Sequence, residues 1–203
     1  MLKRFFDILT SLIAFILLSP LFLIISVIIK LTSPGPVFYK GKRVGKDGEI
    51  FLMHKFRSMV ANAEKIGSDL TKYGDNRITG IGKFLRRTKI DEMPNLIDVI
   101  KGDMSIVGPR PESPSYAQYY NERQKKVLDV RPGITGLAQL QNRREELKLK
   151  DQPDPDAYYI QELMPKKVEI DLYYIENRNF LLDLKIILKT FLPIGKKDAS
   201  SKI

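Results

Sequence analysis

From Ile8 to Ile29 the chain carries no charged residue. As helix, those roughly 22 residues would measure about 33 Å, enough to match a hydrocarbon core. The run is too long for the apolar part of a secretory leader, and no small-residue cleavage site follows it. It is also too long and too uncharged for an ordinary core helix. Residues 1–30 are therefore expected at a membrane, with residues 31–203 as the domain they anchor. Ser19-Pro20 interrupts the run near its middle. Proline deletes a helix hydrogen bond and collides with the preceding turn, although spanning helices tolerate it as a kink. Flanking charge separates a kinked span from a helix that turns back. Lys3 and Arg4 precede the run, and Lys30, Lys40, Lys42, Arg43 and Lys46 follow it. Such residues prefer the cytoplasmic side, so a helix–break–helix that re-emerges on its face of entry satisfies both flanks.

A formal net charge of +10 calls for anionic partners: nucleic acid, acidic lipid or phosphorylated substrates. The apolar N-terminal run speaks against nucleic acid. With no cysteine, disulfides and thiol-based metal or redox chemistry are excluded, and with His54 as the single histidine little is left for a zinc centre. A divalent metal here would take oxygen ligands, which points to Mg²⁺.

The chemistry concentrates between Thr88 and Pro111. Asp91 and Glu92 are expected to open a short helix, with Pro94 in its first turn, Leu96, Ile97 and Ile100 at helical spacing, and Gly102 as the stop. At a helix N-terminus Asp91 would be held ionised by the dipole. Asp is also a favoured cap, so residue type alone leaves both roles open. Arg86 and Arg87 upstream and Arg110 downstream bracket the two carboxylates with positive charge, an arrangement suited to a phosphate substrate.

The series D-E-M-P-N-L (91–96), K-G-D-M-S-I-V-G-P-R-P (101–111) and R-P-G-I-T-G-L-A-Q (131–139), in this order, resembles the bacterial sugar transferases, the small monotopic phosphoglycosyl transferases. The likeness runs from the N-terminus to about Leu192. It implies an irregular, helix-rich α+β cytoplasmic domain (31–203) with amphipathic interfacial helices, on a re-entrant hairpin (1–30) at the cytoplasmic face of the inner membrane. It also implies transfer of a phosphosugar from a UDP-sugar to polyprenyl phosphate with release of UMP. By the same resemblance Asp91 is the nucleophile and a Mg²⁺ ligand, giving a covalent phosphosugar intermediate and ping-pong kinetics. Glu92 assists as base or orients the acceptor. Arg57, within K-F-R-S-M (55–59), together with Arg86 and Arg110, would hold phosphates, and Gln139 and Arg143 would lie at the nucleotide pocket. The chain departs from the pattern at Gln141-Asn142-Arg143, where many members have Asn-Gly-Arg, and in a longer segment from Arg144 to Met164. Oligomeric state is left open, a homodimer being compatible. A membrane-associated binding scaffold without chemistry is the alternative from another class, and an ordinary glycosyltransferase would leave UDP.

Elsewhere, Val37–Tyr39 and Ile50–Met53 read as strands joined through Gly45–Gly48. In an extended segment Lys55 and Arg57 share a face and could grip one phosphate together. Ala61 to Tyr73 reads as helix then loop, the tyrosines at 116, 119 and 120 as packing, and Arg131–Gly136 as a rigid turn. Val168–Asn177 and Phe180–Phe191 read as helices. The second is either a core helix or an interfacial one with Lys185 and Lys189 toward headgroups; Asp171 is a candidate accessory acid by resemblance. The tail from Lys196 is polar and expected to be disordered.

Overall fold

The computed structural model describes residues 2–143 and 145–192; the expectation for the tail lies outside them. Helix α1 (Leu2–Thr32) leads into a hairpin of β1 (Phe38–Val44) and β2 (Ile50–Phe56), paired antiparallel from Phe38 with Phe56 to Val44 with Ile50. Asp47 and Gly48 adopt positive φ in the connection. The strands are longer than the sequence suggests, because the exposed face of β1 is polar and lacks an apolar alternation to announce it. Helices α2 (Gly80–Thr88) and α3 (Asn95–Lys101) follow, then β3 (Ser105–Val107), α4 (Pro114–Ala117), β4 (Gly133–Thr135) and α5 (Leu137–Gln141). Short helices α6 (Glu145–Leu149) and α7 (Pro155–Tyr158) lead through a wide turn, Tyr159–Leu163, into α8 (Met164–Asn177) and α9 (Phe180–Phe191). The architecture is helix-rich α+β, with two small two-stranded sheets.

Three expectations change. Ala61–Tyr73 holds only a single 3-10 turn, Ala63–Lys65, because Arg77 ties the segment as a loop, donating to the carbonyls of Ala63, Ser68 and Leu70. Gly133–Thr135 is a strand parallel to β3, not a turn. The break at Ser19-Pro20 is absent: α1 runs through Pro20. Proline leaves the Ile16 carbonyl without its usual amide donor, and the Ser19 hydroxyl donates to that oxygen at 2.8 Å. The dipeptide read as a breaker carries its own repair.

One face of α1 packs on the domain. At its start the Arg4 guanidinium donates to the carbonyls of Val99 (2.6 Å) and Ile100 (3.1 Å) at the end of α3. The Asp7 carboxylate accepts from the Ser105 hydroxyl at 2.8 Å and the Ile106 amide. Near its end Phe22, Ile25 and Ile29 form a core with Phe56 and Leu85, against which Ile90, Met93 and Leu96 pack. The other face is apolar and exposed from Leu2 to Leu31. A second core joins Tyr116, Tyr120, Tyr159, Leu163 and Val168 beneath the C-terminal half, so two of the three tyrosines pack and Tyr119 stays exposed.

Candidate active site

Local sequence explains where the two central carboxylates stand. Thr79 caps α2, accepting from the Gly82 amide at 3.0 Å. The helix ends when Lys89 turns left-handed (φ 59°), a conformation costing about 1–3 kcal/mol for a residue with a side chain. Ile90–Glu92 then forms a 3-10 turn that runs through Met93 and Pro94 into α3, which stops at Gly102 with φ 106°. Asp91 and Glu92 therefore precede the helix instead of opening it. Ile90, Met93 and Leu96 pack this turn onto the core that α1 shares with Phe56 of β2 and Leu85 of α2.

On the opposite side, β3 runs into Gly108-Pro109-Arg110. The Gly108 amide donates to Thr135 (3.0 Å) and the Gly133 amide to Pro109 (2.8 Å). A Cβ on Gly108 would meet the Arg131 carbonyl at 2.5 Å, and one on Gly133 would meet the Gly108 nitrogen at 2.1 Å. Only glycine permits that approach, and it fixes where Arg110 leaves the backbone.

Arg110 holds Glu92 with both guanidinium nitrogens, at 2.5 and 3.3 Å. Lys55 of β2 reaches the same carboxylate at 2.7 Å. Burial alone would raise the Glu92 carboxyl, but the charges of Arg110 and Lys55 outweigh it and hold it well below its ordinary range. Burial lowers the Lys55 ammonium to about 8 despite Glu92. Glu92 is thus a neutralised, fixed anion.

Asp91 is different. It is 6% exposed, and its Oδ1 has no hydrogen-bond partner. Burial pushes its carboxyl above the ordinary range, opposed by Lys55, Arg86 and Lys89 and reinforced by Glu92. The dipole-held carboxylate read from sequence is not found, because the amides of Glu92 and Met93 are spent on Lys89 and Ile90 carbonyls. Asn95, four positions on, also buries an unpartnered Oδ1. Its signals in the sequence were its polarity and its place in D-E-M-P-N-L (91–96). A desolvated carboxylate with no partner is the costly kind of buried group, retained where a ligand completes it.

The remaining expected residues divide. Arg86 lies near Asp91 and donates to the Thr71 hydroxyl at 2.7 Å. Arg57 is buried in the hand-off from α1, its guanidinium on the carbonyls of Ser33 (2.7 Å) and Pro34 (2.5 Å). Lys55 and Arg57 therefore do not grip one group; the backbone turn at Ser33-Pro34 claims the arginine first. Gln139 lies beneath Gly136, with both amide atoms buried and unpartnered. Arg143 donates to the carbonyls of Lys189 and Leu192, so it caps the end of α9.

Behind Arg110 lies a polar cluster that the sequence did not announce. The Tyr159 hydroxyl donates to Glu112 at 2.5 Å, Lys167 donates to Tyr159 at 2.9 Å, and Lys167 pairs with Glu145 at 2.8 Å. Asp171, one turn from Lys167, has a buried oxygen without a partner. Burial raises its carboxyl to about 7, against Lys167 and the Ala138 amide. The unfolded group titrates near 3.9, so the folded state carries a penalty that is absent below about pH 4, grows to about pH 7 and is then constant. Asp171→Asn keeps an acceptor and removes the ionisation. Its melting temperature should match the wild type near pH 4 and exceed it increasingly toward pH 8, by a gain of about 2–4 kcal/mol. A gain that shrinks with rising pH in thermal unfolding would contradict this reading.

A long helix with an exposed apolar face, a buried carboxylate without a partner and a cationic clamp on its neighbour thus stand together in one fold. The chain belongs to the bacterial sugar transferase family, whose family model matches residues 1–197. It is 41% identical, over 95% of its length and 43% of the relative's, to a protein of Aeromonas hydrophila named UDP-N-acetylgalactosamine-undecaprenyl-phosphate N-acetylgalactosaminephosphotransferase. It is 38% identical to the UDP-glucose:undecaprenyl-phosphate glucose-1-phosphate transferase of Escherichia coli (strain K12), over 94% of this chain and 39% of that one. The chain thus spans about two fifths of those relatives. The exopolysaccharide production protein PSS of Rhizobium leguminosarum bv. phaseoli is 38% identical, with 93% of this chain and 92% of the relative covered.

Proposed function

We propose that this chain moves a sugar phosphate from a UDP-sugar to polyprenyl phosphate and releases UMP. The observation that carries the reading is the pairing of a buried, unpartnered Asp91 with a fully neutralised Glu92. A nucleophile needs a free oxygen: Asp91 Oδ1 has no partner, whereas both Glu92 oxygens are engaged by Lys55 and Arg110. The Asp91 oxygen attacks the sugar-bearing phosphorus, and the bond from that phosphorus to the oxygen of UMP breaks. The resulting acyl phosphate is then attacked by a phosphate oxygen of the lipid acceptor, which regenerates the carboxylate. Arg110 and Arg86 stabilise the negative charge gathering on the phosphoryl oxygens. Gln139 supplies a donor and an acceptor for the nucleotide.

The open oxygens of Asp91 and Asn95 suit Mg²⁺, which takes one or two protein oxygens and completes its shell with substrate phosphates and water. Among the described residues no group of three or more His, Asp or Glu forms a cage, consistent with that substrate-completed mode. When bound, the ion would supply charge neutralisation.

Purified, lipid-reconstituted protein given Mg²⁺, a UDP-sugar panel and polyprenyl phosphate should release UMP with one sugar. Release of UDP would mean ordinary glycosyl transfer. Release of neither nucleotide across the panel would favour a binding scaffold.

The contacts of α1 support a reading of where it sits. By length and composition it could cross a bilayer, yet both of its ends dock on one domain. We place both ends at the cytoplasmic face, with the exposed apolar side in one leaflet. The exposed residues Leu181, Leu184 and Leu188 of α9, joined to α1 through Phe6 against Phe180 at 5.2 Å, extend the same lipid-facing surface. With no native cysteine, single cysteines at positions 2 and 40 should label from the same side in sealed vesicles. Labelling from opposite sides would refute this seat.

A further inference from the structure

We propose that the cavity where α1 begins is a second anion site, taking a phosphate group at the membrane surface and separate from the Asp91 centre. The cavity has a volume of about 210 Å³ and is lined by Lys3, Arg4, Asp7, Arg131, Tyr174 and Arg178 among others. At about 30 Å³ per water, it has room for a phosphate with part of its hydration. Of the four cations in the lining only Lys3 has, among the described residues, a carboxylate of its own, Asp183, and the lining carboxylate Asp7 is already spoken for. Asp7 is 3% exposed and accepts from Ser105 and Ile106.

Two of the cations are held by the fold at one edge only. Arg4 docks on the last carbonyls of α3, and Arg131 donates through Nε to Gly102 at 2.7 Å, which leaves the outer guanidinium nitrogens of Arg131 without a protein acceptor among the described residues. Lys3 is paired with Asp183 at 2.6 Å. Arg178 has no side-chain partner among the described residues and is exposed. Burial, and then the charge of Arg131, lowers the Arg4 guanidinium from its ordinary value, outweighing Asp7 and Asp103. Adjacent guanidinium groups repel unless an anion lies between them, and their planar forks match phosphate oxygens.

The surroundings set the depth. Leu2, Phe5 and Leu181 are exposed at this end of the molecule, where Phe6 meets Phe180 and Lys3 meets Asp183. A phosphate held in the cavity would therefore sit beside apolar groups that lie in the lipid. The ligand chemistry is a phosphate anion, supplied either by a phospholipid headgroup or by free phosphate.

The test uses the full chain in nanodiscs of phosphatidylglycerol and phosphatidylcholine, with native mass spectrometry of retained lipid, and ³¹P NMR titration of the detergent-solubilised protein with inorganic phosphate. Wild type should retain phosphatidylglycerol over phosphatidylcholine. Arg178→Gln and Arg131→Gln should each cut that retention about tenfold, the worth of one charge-assisted hydrogen-bond pair. Arg178→Gln touches no described contact, so its folding and its UMP release should equal wild type, which keeps the result independent of the active centre. Phosphate binding that depends on Arg178, without selective lipid retention, would sustain the site and make free phosphate its ligand. Equal retention of both lipids together with phosphate binding indifferent to both substitutions would overturn it.

Discussion

Asp91→Asn is expected to cut UMP release by about four orders of magnitude or more, the scale of losing a covalent nucleophile, while the protein stays folded and membrane-bound. The substitution is nearly isosteric at a site 6% exposed. It replaces a carboxylate that burial disfavours with a neutral amide that costs less to desolvate, so stability should hold or rise. Ile90 and Met93, which pack the turn into the core shared with α1, are untouched, and membrane partition should not change. A second readout isolates the step. With UDP-sugar and no lipid acceptor, the intact mass of the wild type should increase by one phosphosugar, and that of the variant should not. Full activity in the variant would place the nucleophile elsewhere.

Much of the frame was legible because its signals are local. The β1–β2 hairpin is bounded by a glycine-containing turn, Gly102 stops α3, and α8 and α9 follow their apolar spacing. Features set by distant contacts were not. Nothing near Lys89 announces a left-handed residue, yet it displaces Asp91 and Glu92 from the helix start to a preceding turn. Lys55 and Glu92 lie 37 positions apart, so their pairing is invisible to any pattern along the chain. Arg57 and Arg143 have the residue type of phosphate ligands, but each is spent on backbone carbonyls. The family resemblance held, with the family model matching residues 1–197. It could not say which arginines the fold would keep for itself.

Glu92→Gln is expected to be the most destabilising single change at the centre, because it leaves two cations facing each other. Lys55 and Arg110 both depend on this carboxylate, and the Lys55 and Glu92 side chains are only 16% and 14% exposed. Breaking a buried ion pair by removing one partner costs about 3–5 kcal/mol. Arg110, 37% exposed, recovers part of its hydration, so a loss of about 2–3 kcal/mol is expected in denaturant unfolding. Neutralising the orphaned lysine should return much of it: Glu92→Gln with Lys55→Met should be more stable than Glu92→Gln alone. The double-mutant cycle should give a coupling of about 1–3 kcal/mol. UMP release should fall in both variants, since Arg110 loses the anchor that aims it toward the phosphoryl group. Restored stability without restored activity would separate the fold's use of Glu92 from its use in chemistry. Strictly additive effects would mean that Lys55 and Glu92 act independently, and the neutralised carboxylate beside Asp91 would lose its physical basis.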